Sequence, residues 1–460
     1  MKKTPLESWI SGKIGCARGP ITREEIEHYQ LAKLKETLAW ATARSPFYRV
    51  HLSDLDMVAL NDIDDLQSLP FTTPEDIKQN PLRFLCVSQR EINRVVTLHT
   101  SGTTGEPKRI YFTLDDQELT VDFFSIGMST FVRPGDRILI LLPGERPGSV
   151  GELLARGLEG LRAVGIAHGP VKDVRNTLHV MAREKVNTLV GIPVQVLALA
   201  RMWPEATGAE PPRNVLLSTD YVPGAIVREL RRIWGCEVFT HYGMTEMGYG
   251  GGVECRAHFG YHMREADLLF EIIDPATGNS VEEGKSGEVV FTTLTRRGMP
   301  LIRYRTGDIS RFIPEKCPCG TMLKSMERVQ GRIGGSVELG TAGDLGIADL
   351  DEALFQLPGI VDFRAVLTRE KEKDRLHIEI HSMETDIEQL AGPARSAVDA
   401  IPVVRAACET QALFVSVDVL KQGSVVPGST DKRRIVDHRC SNESPLIDGS
   451  AAVISERIHT

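Results

Sequence analysis

The segment Thr100-Ser-Gly-Thr-Thr-Gly-Glu-Pro-Lys108 collects groups that can hold a phosphate. Gly102 and Gly105 let the backbone turn tightly and aim N–H groups at an anion. Thr100, Ser101, Thr103 and Thr104 add hydroxyls, and Lys108 adds a positive charge. A Gly/Ser/Thr-rich stretch is more often a plain connector, but this one is longer and more constrained. It is not a Walker loop. Glu106 and Pro107 separate Gly105 from Lys108, and Arg109 stands where a Mg2+-binding hydroxyl belongs, which argues against a P-loop kinase or ATPase. In His241-Tyr-Gly-Met-Thr-Glu246 a threonine, Thr245, precedes a carboxylate, Glu246. Such a pair, placed after a strand end, can hold Mg2+ and phosphate oxygens together. In Tyr304-Arg-Thr-Gly-Asp308 a carboxylate follows a tight turn. It can accept hydrogen bonds from the two hydroxyls of a ribose. Singly these strings are common turns; in this order they specify a nucleotide site.

The elements that must carry these residues are legible from periodicity. Residues 1–90 read as a helical, polar region, with Ile26, Tyr29, Leu31, Leu34 and Leu38 at helical spacing. From Val95 short apolar runs (Val95–Leu98, Arg137–Leu142, Thr188–Ile192, Asn214–Leu217 and Glu237–Phe239) alternate with amphipathic stretches such as Gly151–Leu161 and Pro223–Trp234. That is the rhythm of βα units on a mainly parallel sheet. From Leu268 a β-rich part follows (Leu268–Ile273, Glu288–Thr293). After about Gly331 the pattern changes to a hairpin-like pair (Phe363–Thr368, Arg375–Ile380), a helix (Thr385–Ala400) and a strand (Ala412–Val419). The expected fold is α/β. A large N-terminal domain (1–330) combines mainly parallel sheets and flanking helices with the β-rich part. A small α+β C-terminal domain (331–440) and a loosely held tail (441–460) follow it.

With 460 residues, 42% of them hydrophobic, the chain is too long for one core of ordinary size. Its 25% charged residues and net charge of −8 fit a globular protein. They give no concentrated basic face for nucleic acid. No run reaches the roughly 20 apolar residues of a membrane span, and the start lacks the apolar core of a signal peptide. The expectation is a cytoplasmic protein with no nucleic-acid or membrane partner; a homodimer is left open. Eight cysteines in this length are too sparse for a disulfide framework.

These motifs resemble the adenylate-forming superfamily of acyl-CoA synthetases, peptide-synthetase adenylation domains and luciferases. The chain is most similar to phenylacetate–CoA ligases through Ser45-Pro-Phe-Tyr-Arg49, Leu69-Pro-Phe-Thr-Thr-Pro-Glu-Asp76, Gly287–Thr295 and Met299-Pro-Leu-Ile-Arg-Tyr-Arg305. The resemblance covers roughly residues 30–335. It implies a small domain that is mobile against the large one, with ATP (leaving as AMP), Mg2+, coenzyme A and a carboxylic acid meeting between them. By that resemblance residues 101–108 hold the ATP phosphates. Ser218, Thr219, Asp220 and Tyr221, with Thr240, His241, Tyr242, Gly243 and Met244, line the adenine. Thr245 and Glu246 serve phosphate and Mg2+, Asp308 the ribose, and Arg328 or Arg332 the nucleotide near the hinge. The acid pocket draws on Phe123–Thr130, Gly191–Pro193 and Tyr242–Gly252.

The adenylation lysine of the family stands in a Gly-Lys-x-x-Arg context near the end of the small domain. Aligning on Arg434 puts Asp431 there, with Lys432 one residue on; a one-residue slip in a loop restores Lys432 to the role. Two alternatives share the motifs: a ligase whose acceptor is not coenzyme A, and a non-catalytic relative that binds nucleotide. Cys317-Pro-Cys319 is a modest metal signal by itself, since two buried hydrophobic cysteines would read alike. The resemblance adds an upstream Cys and His, here Cys255 and His262, with His258 in reserve. The expected result is a closed, structural Zn2+ site of three thiolates and one imidazole.

Overall fold

The computed structural model describes residues 2–16, 20–54, 60–98, 107–206, 210–370, 373–383, 388–421 and 433–439. The loop residues Thr100, Ser101, Gly102, Thr103, Thr104 and Gly105, together with Lys432 and the tail, lie outside them.

Helices α1 (Pro5–Ile14), α2 (Arg23–Arg44), α3 (Pro46–His51) and α4 (Pro74–Gln79) make the N-terminal region. Local chemistry sets their ends. Thr22 and Glu25 form a capping box at α2, and Gly15, at φ 82°, turns the chain out of α1. Strands β1 (Ile92–Leu98) and β2 (Lys108–Thr113) pair antiparallel, with Leu98 opposite Lys108. The hairpin therefore presents Lys108 at the mouth of the loop it closes.

Helix α5 (Leu114–Met128) opens the alternating part. It continues through β3 (Arg137–Ile140), α6 (Val150–Glu159), β4 (Val164–Ala167), α7 (Val174–Arg183), β5 (Thr188–Gly191), α8 (Pro193–Ala206), β6 (Asn214–Leu217), α9 (Gly224–Trp234) and β7 (Glu237–Tyr242). The five strands run parallel in the order β4-β3-β5-β6-β7. The central strands are continuous apolar runs because helices cover both faces. Next come β8 (Gly252–Glu254), β9 (Tyr261–Met263), β10 (Leu268–Ile273), β11 (Gly287–Thr293), β12 (Tyr304–Ser310), β13 (Phe312–Ile313), β14 (Ser325–Met326) and β15 (Gly331–Arg332). Strands β8, β9, β14 and β13 extend the parallel sheet from its β7 edge in antiparallel fashion, and β10-β11-β12-β15 form a separate antiparallel sheet.

The C-terminal part holds β16 (Ser336–Glu338), β17 (Asp344–Gly346), α10 (Ile347–Leu354), β18 (Ile360–Glu370), β19 (Lys373–Ser382), α11 (Glu388–Asp399), α12 (Pro402–Glu409), β20 (Leu413–Lys421) and β21 (Ile435–Asp437). Its sheet runs β20-β19-β18-β21. Two differences from expectation matter for the site. The strand expected at Glu237–Phe239 continues to Tyr242. The two- and three-residue strands that extend the sheet had no readable period. Among the described residues no helix is long and apolar enough to cross a membrane.

Buried Asp116 joins helix to strand turn. It caps α5 by accepting from Thr113 N at 3.0 Å, and it also accepts from Arg297 N (3.0 Å) and Gly298 N (3.2 Å). Asp116→Ala leaves these amides without their acceptor and is expected to lower the unfolding free energy by about 2–4 kcal/mol. Urea denaturation measures it; a loss under about 1 kcal/mol would mean that water replaces the carboxylate.

Candidate nucleotide site and metal centre

Lys108 leaves the start of β2 and meets Glu246, which stands in a single turn (Thr245–Met247) just past β7. The ammonium and carboxylate pair directly. Tyr304, from the start of β12, joins both: its hydroxyl accepts from Lys108 Nζ at 3.0 Å and donates to Glu246 Oε1 at 3.2 Å. Burial works against charge on Glu246, but Lys108 outweighs it and holds the carboxyl below its ordinary value. Arg296 fixes the same turn from behind, donating to Glu246 O (2.7 Å) and Tyr111 O (2.8 Å). Gly243 is obligatory here, because a Cβ would sit 2.2 Å from Tyr249 O.

Asp308 lies on β12, four residues after Tyr304. It is buried; its Oδ2 accepts from the Tyr242 hydroxyl at 3.1 Å, and its Oδ1 pairs with Arg332 Nε at 2.8 Å. Residues 242–246 and 304–308 thus form one continuous wall, with Lys108–Glu246 at one end and Asp308–Arg332 at the other. Arg328 donates to Glu254 Oε1 at 3.0 and 2.7 Å, while Glu254 Oε2 accepts from Thr240 N at 2.8 Å.

The loop after β6 holds Ser218 to Tyr221. Thr219 has φ 84°, a left-handed conformation that β-branched residues rarely adopt. Asp220 Oδ2 accepts from Arg433 N at 3.3 Å, and Tyr221 donates to Glu352 Oε1 at 3.2 Å. A cleft of about 1280 Å3 opens alongside, lined by Tyr221, Arg328, Gln330 and Glu352 among others. Ser218 Oγ lies 3.0 Å from His241 Nδ1, and the ring packs near Phe123 and Phe124. Tyr304, Arg296, Glu254 and Glu352 had no role assigned from sequence. Tyr304 alone carried a signal, as the first residue of the Asp308 motif.

Cys255, His262, Cys317 and Cys319 are all buried, and their donor atoms lie within 4.8 Å of one another. Cys255 Sγ is 3.6 Å from Cys317 Sγ, and Cys319 Sγ is 3.5 Å from His262 Nε2. That is too far for a disulfide and suits donors placed at about 2.0–2.3 Å from a common centre. Burial disfavours charge on His262, but in the absence of metal the sulfurs around it, as thiolates, outweigh burial and raise the ring above its ordinary value. The other ring nitrogen, Nδ1, is 3.3 Å from Ser325 Oγ, a partner that fixes the ring's direction. His258 faces Glu254 and Glu237 instead.

Burial lowers His241 to about 4, from an ordinary 6.5. On acidification the unfolded chain takes up this proton first, so stability is lost as the pH falls from about 6.5 towards 4. Between pH 7 and pH 5 the wild type should lose about 1–2 kcal/mol more than His241→Gln. Urea unfolding at the two pH values reads the difference; parallel losses would place the ring in contact with water.

The AMP-binding enzyme family matches residues 49–294. The phenylacetate-coenzyme A ligase of Thermus thermophilus is 30% identical over 334 residues, which are 68% of this chain and 71% of that protein. In crystal structures, 2-hydroxyisobutyryl-CoA ligase in the postadenylation state with 2-HIB-AMP superposes with a TM-score of 0.77 at 21% identity, covering 91% of this chain and 90% of that one. The same ligase with 2-HIB-AMP and CoA in the thioesterification state gives 0.64 at 22% identity, covering 91% of each.

Proposed function

This chain belongs to the AMP-binding enzyme family, and on that premise we propose that it activates a carboxylic acid as an acyl-adenylate and passes the acyl group to coenzyme A. The observation that carries the reading is the buried wall with Lys108, Glu246 and Tyr304 at one end and Asp308 at the other. Its two ends match the phosphates and the ribose of one nucleotide.

In the first step a carboxylate oxygen of the acid attacks the α-phosphorus, and the bond to the β,γ-diphosphate breaks. Pyrophosphate leaves with the electron pair. Charge gathers on the phosphoryl oxygens, where Lys108 and the Thr245 hydroxyl offer stabilisation, joined by the glycine-rich segment 101–105 as its sequence implies. Mg2+, when bound, would neutralise phosphate charge, and Glu246 is the carboxylate that would hold it. Asp308 holds the ribose, and residues 218–221 with 241–244 flank the adenine. Lys432 directly precedes Arg433, whose amide reaches Asp220 in that loop, which supports Lys432 as the adenylation lysine. In the second step the coenzyme A thiolate attacks the acyl carbon and AMP departs. The acid is of the aryl or arylacetic class, as in the phenylacetate ligase relative. The chain works in the cytoplasm, where reduced thiols persist.

Purified protein with ATP and Mg2+ should release pyrophosphate with at least one acid of an aryl and arylacetic panel. Asp308→Ala removes a buried acceptor of charge-assisted hydrogen bonds and should weaken ATP binding by about tenfold or more. Unchanged affinity by titration calorimetry would remove Asp308 from the site.

We assign Cys255, His262, Cys317 and Cys319 to one structural Zn2+. Four protein donors leave no position for a reacting water, so its role is to clamp the segment after Glu246 to the turn after Asp308. Untagged protein should carry about one zinc per chain, and Cys317→Ser should lose it together with thermal stability. Metal-free protein of undiminished stability would overturn the assignment.

A further inference from the structure

Helix α9 starts without a cap from its own segment. Its N-cap residue is Pro223, which has no side-chain acceptor, so the first amides of an eleven-residue helix point outwards. The acceptor comes from elsewhere in the chain. Glu352, near the end of α10, accepts from Gly224 N at 2.5 Å through Oε1 and from Ala225 N at 3.1 Å through Oε2. A carboxylate there also meets the positive end of the helix dipole. The same Oε1 accepts from the Tyr221 hydroxyl at 3.2 Å, and Arg228 comes within 3.9 Å of Oε2. Burial, then Glu352 itself, push the Tyr221 phenol well up, so it stays a donor.

The neighbouring residue repeats the tie. Asp351 pairs with Arg433, whose amide reaches Asp220. Both side chains of the Asp220-Tyr221 pair are therefore held by groups from beyond residue 331. Within the loop, Thr219 sits in a conformation that needs outside support.

We infer that Glu352 is a positioning residue for the first half-reaction: by capping α9 from α10 it holds the Ser218–Tyr221 loop in the shape that receives the nucleotide. The inference rests on the ligase reading above. When α10 moves away, Gly224 N, Ala225 N and the Tyr221 hydroxyl turn to water and the loop is released. The cap is thus present only while the C-terminal part is docked as it is in this structure. Overall superposition is closer to the postadenylation arrangement of the neighbouring ligase than to its thioesterification arrangement, 0.77 against 0.64.

The two half-reactions separate the claim from a general structural role. The first is read as acid-dependent exchange of labelled pyrophosphate into ATP, the second as thioester formation from supplied acyl-adenylate and coenzyme A. Glu352→Ala should slow the exchange by about tenfold, the weight of a charged helix cap and a phenol hydrogen bond. Glu352→Gln, which keeps an uncharged acceptor, should lie between it and the wild type, and Tyr221→Phe should reproduce part of the loss. Thioester formation should keep its wild-type rate in both Glu352 variants. Equal loss in both half-reactions, or an unchanged exchange rate, would overturn the inference. Wild-type protein that exchanges pyrophosphate with no acid would instead bring down the ligase reading itself.

Discussion

The pairing of Lys108 with Glu246 sets the terms for the rest of the molecule. Both charges are largely out of water, with side chains 13% and 4% exposed. An isolated charge at that depth is strongly unfavourable, so each requires the other in place. They come from different layers: Lys108 from the β1–β2 hairpin, Glu246 from the turn just past β7, the middle strand of the nine-stranded sheet, and bridging Tyr304 from the four-stranded antiparallel sheet. Three sheets must therefore meet at one point. The Arg296 bonds to Glu246 O and Tyr111 O make the same connection through backbone and keep the turn rigid when a ligand competes for the lysine.

A second node, Glu254, ties the Cys/His cluster to the wall that carries Glu246 and Asp308. Its carboxylate spans Thr240 N and Arg328, and the next residue is the thiol Cys255. Strand β9 supplies His262 and pairs with β14, whose Ser325 approaches the other ring nitrogen of that imidazole. Whatever fixes the four donors also fixes the segment on which Arg328 stands. The cluster thereby belongs to the architecture of the site.

What could be read in advance follows from how local each cause is. Strands β6 and β10 have the bounds their apolar runs imply, Asn214–Leu217 and Leu268–Ile273. Buried strands between amphipathic helices announce themselves. Strands β8, β9, β13 and β14 span two or three residues and show no period, so the antiparallel extension was invisible although it carries His262. Helix α12 is only eight residues long and was passed over for the same reason. The cluster of Cys255, His262, Cys317 and Cys319 could be anticipated only because a family resemblance linked segments 55 residues apart, from His262 to Cys317. Glu352 could not be found by spacing: its partners lie some 130 residues upstream, and nothing in the local sequence marks a carboxylate that caps another helix.

Thr219 has a consequence for the protein's evolution. A β-branched residue at φ 84° costs on the order of 1–3 kcal/mol that glycine would not. Stability alone would favour glycine at this position, yet glycine would also widen the set of shapes open to the loop beside the cleft. Threonine trades fold stability for a narrower loop ensemble, so variants selected only for heat resistance should drift at this position and give up catalytic rate as they do.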